Sequence, residues 1–462
     1  MNILSWLTAG LAGWFWVQAL LPRAPAPGWI RHGLAASLAF IFGAGATASA
    51  FFALLWAGLA PPAAAWTADA VVLAAGAALY RARRRRRAEE GTGASVRAAP
   101  LAWLGGIAAA VCVAAFLAAV YLVAGASPQG DWDAWSIWNV RAKFLAHEEL
   151  WRNAVSPELA ESHPEYPLLW PAAVARAWSE SGAITQAAPQ AGAFFSSLAL
   201  VLLFAFGVAA RAGWQWGALG TATLLMTTPL WRSAPGQYAD IPLAALMLAA
   251  VIAGVSAQQA GWDAAGLALS GALASMAAFT KNEGLAFCVL LGVTLAVAAR
   301  ARAAWWLAGA APVLALAALF HWLLAPPKAW VAAAGFTQSG RLLTALREMA
   351  LELRRLGEFP AHPLLFAALL WFAFRPKWPL QPMWAAAAAL AMVGADLIAL
   401  WGFPGDVAAQ VRASGDRLLL QVTPVLLLCF FWWLGHAEEA PADAGRTRPP
   451  KRKPGPASEA KH

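Results

Sequence analysis

The sequence predicts an all-α, polytopic membrane protein, and three observations carry that expectation. First, 61% of its 462 residues are hydrophobic and only 12% charged, whereas soluble domains carry roughly twice that charged fraction. Second, apolar runs of roughly 20 residues, the length that crosses a hydrocarbon core, recur along the chain. Third, the basic residues alternate with those runs in the manner of a topology signal. The 27 tryptophans suit interfacial belts, where the ring is half buried and its N–H stays wet. The net charge of +9 therefore marks orientation and gives no reason to expect nucleic acid as a partner.

Candidate spans fall at 3–21, 33–58, 63–80, 101–124, 188–210, 214–230, 239–257, 263–280, 284–299, 304–324, 363–374, 381–400 and 417–435, about 13 in all. The first is read as a retained span, since its first basic residue, Arg23, follows the apolar run instead of preceding it. Placing 81–87 (RARRRRR) in the cytoplasm turns the loop after 101–124 outward. Arg211, Arg300, Arg302, Arg375, Lys377 and the tail at 446–453 (RTRPPKRK) then fall inside. Cys112, Cys288 and Cys429 lie in apolar stretches and read as small core residues.

This alternation divides the chain into additional N-terminal helices with a basic loop (1–100), a core with an outer loop at 125–187 (101–300), C-terminal helices and outer loops (301–436), and a basic tail (437–462) expected to be disordered. The outward loops carry the chemistry-bearing residues, and large loops on one face usually house function. They read as short interfacial helices and turns.

Four motifs stand out. At 130–143 (GDWDAWSIWNVRAK), Asp131 and Asp133 follow a span closely. Helical spacing from Asp133 would set Trp135, Trp138, Ala142 and Leu145 on one face, expected in lipid, and Asp133, Ser136, Lys143 and His147 on the other. Asp is also a favoured helix N-cap, so a capping role competes with a chemical one for both carboxylates. At 163–171 (HPEYPLLWP), three prolines set His163, Glu165 and Tyr166 on a kinked backbone before an apolar run. At 236–242 (GQYADIP), Asp240 sits at the mouth of a span, and at 280–284 (TKNEG), Lys281 and Glu283 interrupt two apolar runs. Ionisable groups at such depth indicate function by default, although a mutual Lys281–Glu283 pair at a tight turn is the plainer alternative. Arg232, Arg412 and Arg417 with Lys281 supply cations for a phosphate. Asp69 and Asp396 also lie in apolar stretches, with no role assigned from sequence. The chain has no P-loop, no GxGxxG after a strand and no HExxH.

Together, DWDAWSIWNVRAK, HPEYPLLWP, GQYADIP and TKNEG resemble the GT-C superfamily of polyprenyl-phosphate-sugar-dependent glycosyltransferases, in the bacterial branch akin to protein O-mannosyltransferases and lipid A aminoarabinose transferases. The resemblance covers roughly residues 101–300 and reaches the C-terminal third only through its helical character. It implies an inverting transfer at the periplasmic face of the inner membrane, from a polyprenyl-phosphate sugar to a lipid, glycan or protein hydroxyl. A carboxylate of the first outer loop would be the general base, which maps onto Asp133 or Asp131, with the His-Pro element at His163 and Pro164. In the family the two acids are adjacent; here Trp132 separates them, and Asp133 is preferred as the base. Lys281, Arg232 and Arg417 would stabilise the leaving phosphate. A divalent cation is a possible cofactor, with suitable ligands among Asp131, Asp133, His163 and Glu165 but no spacing that identifies a metal. A transporter or flippase of a lipid-linked substrate is the competing reading. Its ionisable groups are expected near the bilayer midplane instead of at the outer face.

Overall fold

The computed structural model describes residues 2–22, 26–87, 102–328, 331–356 and 383–439. Every regular element among them is helical. Nine helical runs among the described residues are long and apolar enough to cross a membrane, which makes the chain a multi-pass, all-α membrane protein.

The N-terminal helices α1 (Asn2–Leu20), α2 (Gly28–Trp56) and α3 (Pro61–Arg87) pack on one another. The helix α4 (Ala102–Ala126) shows Val111, Tyr121 and Leu122 at the outer surface, as a lipid-facing span requires. Cys112, expected in the core, is exposed on this helix, while Cys288 and Cys429 are buried. After the loop come α5 (Asn139–Leu145), the buried α6 (Leu169–Ser181), α7 (Ala187–Ala212), α8 (Trp214–Leu225) and the short α9 (Thr228–Ser233). The candidate span 214–230 thus breaks. Thr227 is extended, and Pro229 opens a new helix, because proline fits the first turn but not a helix interior.

The axis of the bundle is α10 (Asp240–Gln259), buried at every residue from 240 to 257. Around it lie α11 (Ala264–Ala278), α12 (Asn282–Ala299), α13 (Ala303–Leu323), α14 (Ala333–Phe336), α15 (Ser339–Arg355), α16 (Met383–Gly402) and α17 (Val407–Glu439). The apolar run Asn282–Leu323 folds back on itself at Arg300, whose φ is +53°. A straight helix would separate Gly292 from Trp306 by roughly 21 Å, yet the Trp306 ring lies against Gly292. The expected span 363–374 and most of the expected tail lie outside the described residues.

Asp69, unassigned from sequence, belongs to a buried ionic link. Arg176 of α6 donates to Asp69 at 2.8 Å, to Glu180 at 2.5 Å and to the Ser5 carbonyl at 2.7 Å. It fastens α1 and α3 to α6, the helix that follows the His-Pro loop.

The α11–α13 contact is nearly backbone on backbone. A Cβ at Gly271 would stand 2.0 Å from the Trp306 carbonyl oxygen, and one at Gly309 would stand 1.9 Å from that of Ala268. Overpacking of this kind costs about 1–3 kcal/mol. Gly271→Ala should therefore lower the thermal midpoint of the detergent-solubilised protein. Gly394→Ala, which enters open space, should not, and equal midpoints for the two variants would contradict the packing described.

Candidate active site

The four motifs dock on one another around a cavity of about 540 Å³. The first contact joins 127–139 to 233–240. Gly130 turns the chain at φ +76°, where a Cβ would meet the Gly236 carbonyl at 2.7 Å. Asp131 N–H donates to that carbonyl at 3.1 Å. Buried Gln237 accepts from Asn139 and donates to the Pro128 carbonyl, both at 3.1 Å.

Residues 134–138 then form a single π-helical turn before α5. The wider turn shifts the helical phase, and the expected lipid face does not form. Trp138, Ala142 and Leu145 are buried inside the protein, while Trp132 and Trp135 stay exposed and meet edge to face at 4.6 Å. Single π turns of this kind are frequent at functional sites. Neither carboxylate caps the turn in the expected way. Asp133 occupies the N-cap position without a side-chain bond to the helix, and Asp131 accepts instead from Trp132 N–H at 2.8 Å and Tyr238 O–H at 3.0 Å.

The second contact is made by Arg141, which sequence reasoning passed over inside the first motif. Fully buried, it donates to the carbonyls of Ala154, His163, Pro164 and Tyr166 at 2.7–3.2 Å. A planar five-donor fork suits this task, and an ammonium could not span it. It holds the loop so that Tyr166 stacks between Trp138 at 5.8 Å and His163 at 4.8 Å. Leu169 N–H then meets the Phe279 carbonyl at 2.9 Å, joining this loop to the fourth motif.

At the cavity wall, Asp240 is fully buried and accepts from Lys281 at 3.0 Å and from Gln421 at 2.6 Å. Lys281 also pairs with Glu283 at 3.2 Å, as the plainer reading of that motif expects. Arg417 of α17 hydrogen-bonds Asp133 Oδ2 and lies 3.7 Å from Asp240 Oδ2, an ion-pair rather than a hydrogen-bond distance. Its guanidinium sits over the Tyr238 ring at 5.0 Å. Burial, then the hydrogen bond to Asp131, push the Tyr238 hydroxyl well up, so it remains a donor. The resulting relay runs Asp131–Tyr238–Arg417–Asp133.

Asp133, His163, Tyr166, Asp240, Lys281, Glu283 and Arg417 thus line one cavity. Four expected residues do not. Asp131 stands behind Tyr238, and Glu165 stands behind His163, accepting from it at 3.1 Å and pairing with Lys328 at 3.3 Å. Arg232 is exposed and pairs with Asp416 at 2.7 Å, and Arg412 pairs with Glu348 at 3.5 Å, so neither joins the cationic set. Lys328, Asp396, Gln421, Gln410 and Ser414 line the cavity without having been singled out as site residues. The last three share one face of α17 with Arg417, a spacing visible once that arginine is chosen. Met392, Ala395, Ala399 and Leu400 of α16 form an apolar wall opposite. Among the described residues, no three His, Cys, Asp or Glu side chains converge as a metal-binding group.

The arrangement offers a carboxylate held by an arginine, two lysines lining the same cavity and a greasy wall, which together suit an amphipathic anion. Comparison with family models, curated proteins and solved structures finds no match.

Burial alone would raise the Glu165 carboxyl, but its bond to His163 and the nearby Lys328 outweigh this and bring it below the usual value. A carboxyl depressed on folding contributes stability above its unfolded value, roughly 4.3. That contribution is lost as pH falls through the lower folded value. Limited proteolysis of the 147–166 loop should accordingly accelerate in wild type only below about pH 4. Glu165→Gln should be cleaved faster at neutral pH and change less on acidification; identical profiles would contradict the assignment.

Proposed function

We propose that this protein is a membrane glycosyltransferase that moves a sugar from a polyprenyl-phosphate donor to an acceptor hydroxyl with inversion, on the periplasmic face of the inner membrane. One observation carries the reading: Asp133, Arg417 and Lys281 share a cavity whose opposite wall is apolar. A volume of about 540 Å³ lies in the range of small-molecule sites, roughly 300–1,000 Å³. The polar side matches a sugar phosphate, and the α16 wall matches the first isoprenoid units.

In the proposed step the acceptor oxygen attacks the anomeric carbon while its proton passes to Asp133. The anomeric C–O bond breaks, and its electron pair leaves on the phosphate oxygen. Arg417 engages Asp133 Oδ2, and Oδ1 takes no hydrogen bond among the described residues, so Oδ1 is the proton acceptor. Lys281 and Arg417, with Lys328 at the rim, stabilise the charge developing on the leaving phosphate, a stabilisation that grows in a low-dielectric site. The role of Asp131 is positional, through Tyr238. This geometry supports Asp133 over Asp131 as the base in the proposed step, and it gives the separation by Trp132 a purpose: one carboxylate faces the cavity and the other braces it from behind.

General-base catalysis contributes typically 10²–10⁴-fold. Asp133→Asn should lower transfer from a labelled polyprenyl-phosphate sugar by about that factor while leaving donor binding intact. Asp131→Asn should have a smaller effect. Full activity in Asp133→Asn would remove the base assignment.

A further inference from the structure

Asp396 lines the cavity from α16, six residues before its C-terminal end at Gly402. Its near neighbours on that face, Met392, Ala395, Ala399 and Leu400, are all apolar. The residue is only 6% exposed. Among the described residues its carboxyl has neither a hydrogen bond nor an ion pair, in contrast to Asp133, Asp240 and Glu283, each of which has a cation. Lys281 and Glu283 act on it electrostatically from across the cavity without pairing with it. An unpaired carboxyl held out of water is costly, and ionisable groups inside membrane spans are kept for function by default. What it lacks in the protein, a ligand can supply.

The three chemical parts of the proposed donor sort themselves against this position. The phosphate is repelled by a carboxylate and is drawn to Lys281 and Arg417. The isoprenoid chain offers no hydrogen bond. Sugar hydroxyls remain, and a carboxyl accepts two of them at once across its two oxygens. We infer that Asp396 is the specificity-determining residue that recognises the carbohydrate of the lipid-linked donor, fixing the sugar while the cations hold its phosphate; this rests on the glycosyltransferase reading. The α16 wall then has two roles, greasy contact along most of its length and one polar anchor for the sugar ring.

The test uses the full chain in nanodiscs and two probes, polyprenyl phosphate and polyprenyl-phosphate hexose, with the ratio of their affinities as the readout. Wild type should prefer the hexose-bearing lipid. Asp396→Leu should lose that preference by tenfold or more without weakening polyprenyl phosphate, and Asp396→Asn, which keeps one acceptor, should fall between. The Leu variant should also melt no lower than wild type, because no protein partner is lost. Unchanged ratios in both variants, or equal loss of both lipids, would overturn the inference and leave the donor reading standing. A lowered melting point in Asp396→Leu would overturn it too, by revealing a structural partner. Failure of wild type to bind either lipid would overturn the donor reading and this inference with it.

Discussion

The site depends on one buried charge. Asp240 has no exposed surface, and a carboxylate so placed is tolerable only if cations and donors converge on it. Lys281 does so from the residue that opens α12, and Gln421 and Arg417 from one face of α17. Removing one partner of such a pair generally costs about 3–5 kcal/mol, so this carboxylate fixes how α10, α12 and α17 sit together. The same cations that neutralise Asp240 are the ones a phosphate would meet. Their positions are therefore set before any ligand arrives, which is the condition for electrostatic stabilisation without reorganisation.

The loop chemistry hangs from that frame. Arg417 reaches from Asp240 to Asp133 and rests on Tyr238, whose hydroxyl is held by Asp131. Arg141 performs the equivalent service for the His-Pro loop by gathering four loop carbonyls onto one guanidinium. One arginine thus organises the Asp133 side of the cavity and another the His-Pro loop, and both act through geometry that lysine lacks.

Much of this was legible in the chain. In so apolar a sequence, each ionisable group near a span end is conspicuous, and Asp133, His163, Tyr166, Asp240, Lys281, Glu283 and Arg417 were found that way and meet in one cavity. What sequence reasoning missed has physical causes. The π turn at 134–138 displaces the helical phase, so Trp135 and Trp138, expected on one face, end on opposite sides of the protein surface. Arg141 looked like an ordinary loop cation because its partners are backbone carbonyls, which leave no mark in a sequence. Arg232 looked as suitable as Arg417, and only the neighbouring Asp416, which captures it, tells them apart. Asp396 was visible but silent, since its meaning lies in having no partner. The turn at Arg300 was legible, since 284–299 and 304–324 read as separate spans, whereas the break after Leu225 reflects a proline at a first helical turn, a local choice that hydropathy averages away.

The most direct test of the central claim is a cryo-EM structure of the full chain in lipid with a polyprenyl-phosphate sugar bound. The account places the phosphate between Lys281 and Arg417, the anomeric carbon within reach of Asp133 and the isoprenoid chain along α16. Density for the phosphate elsewhere, or for the lipid passing through the bundle to the opposite face as in a transporter, would contradict it.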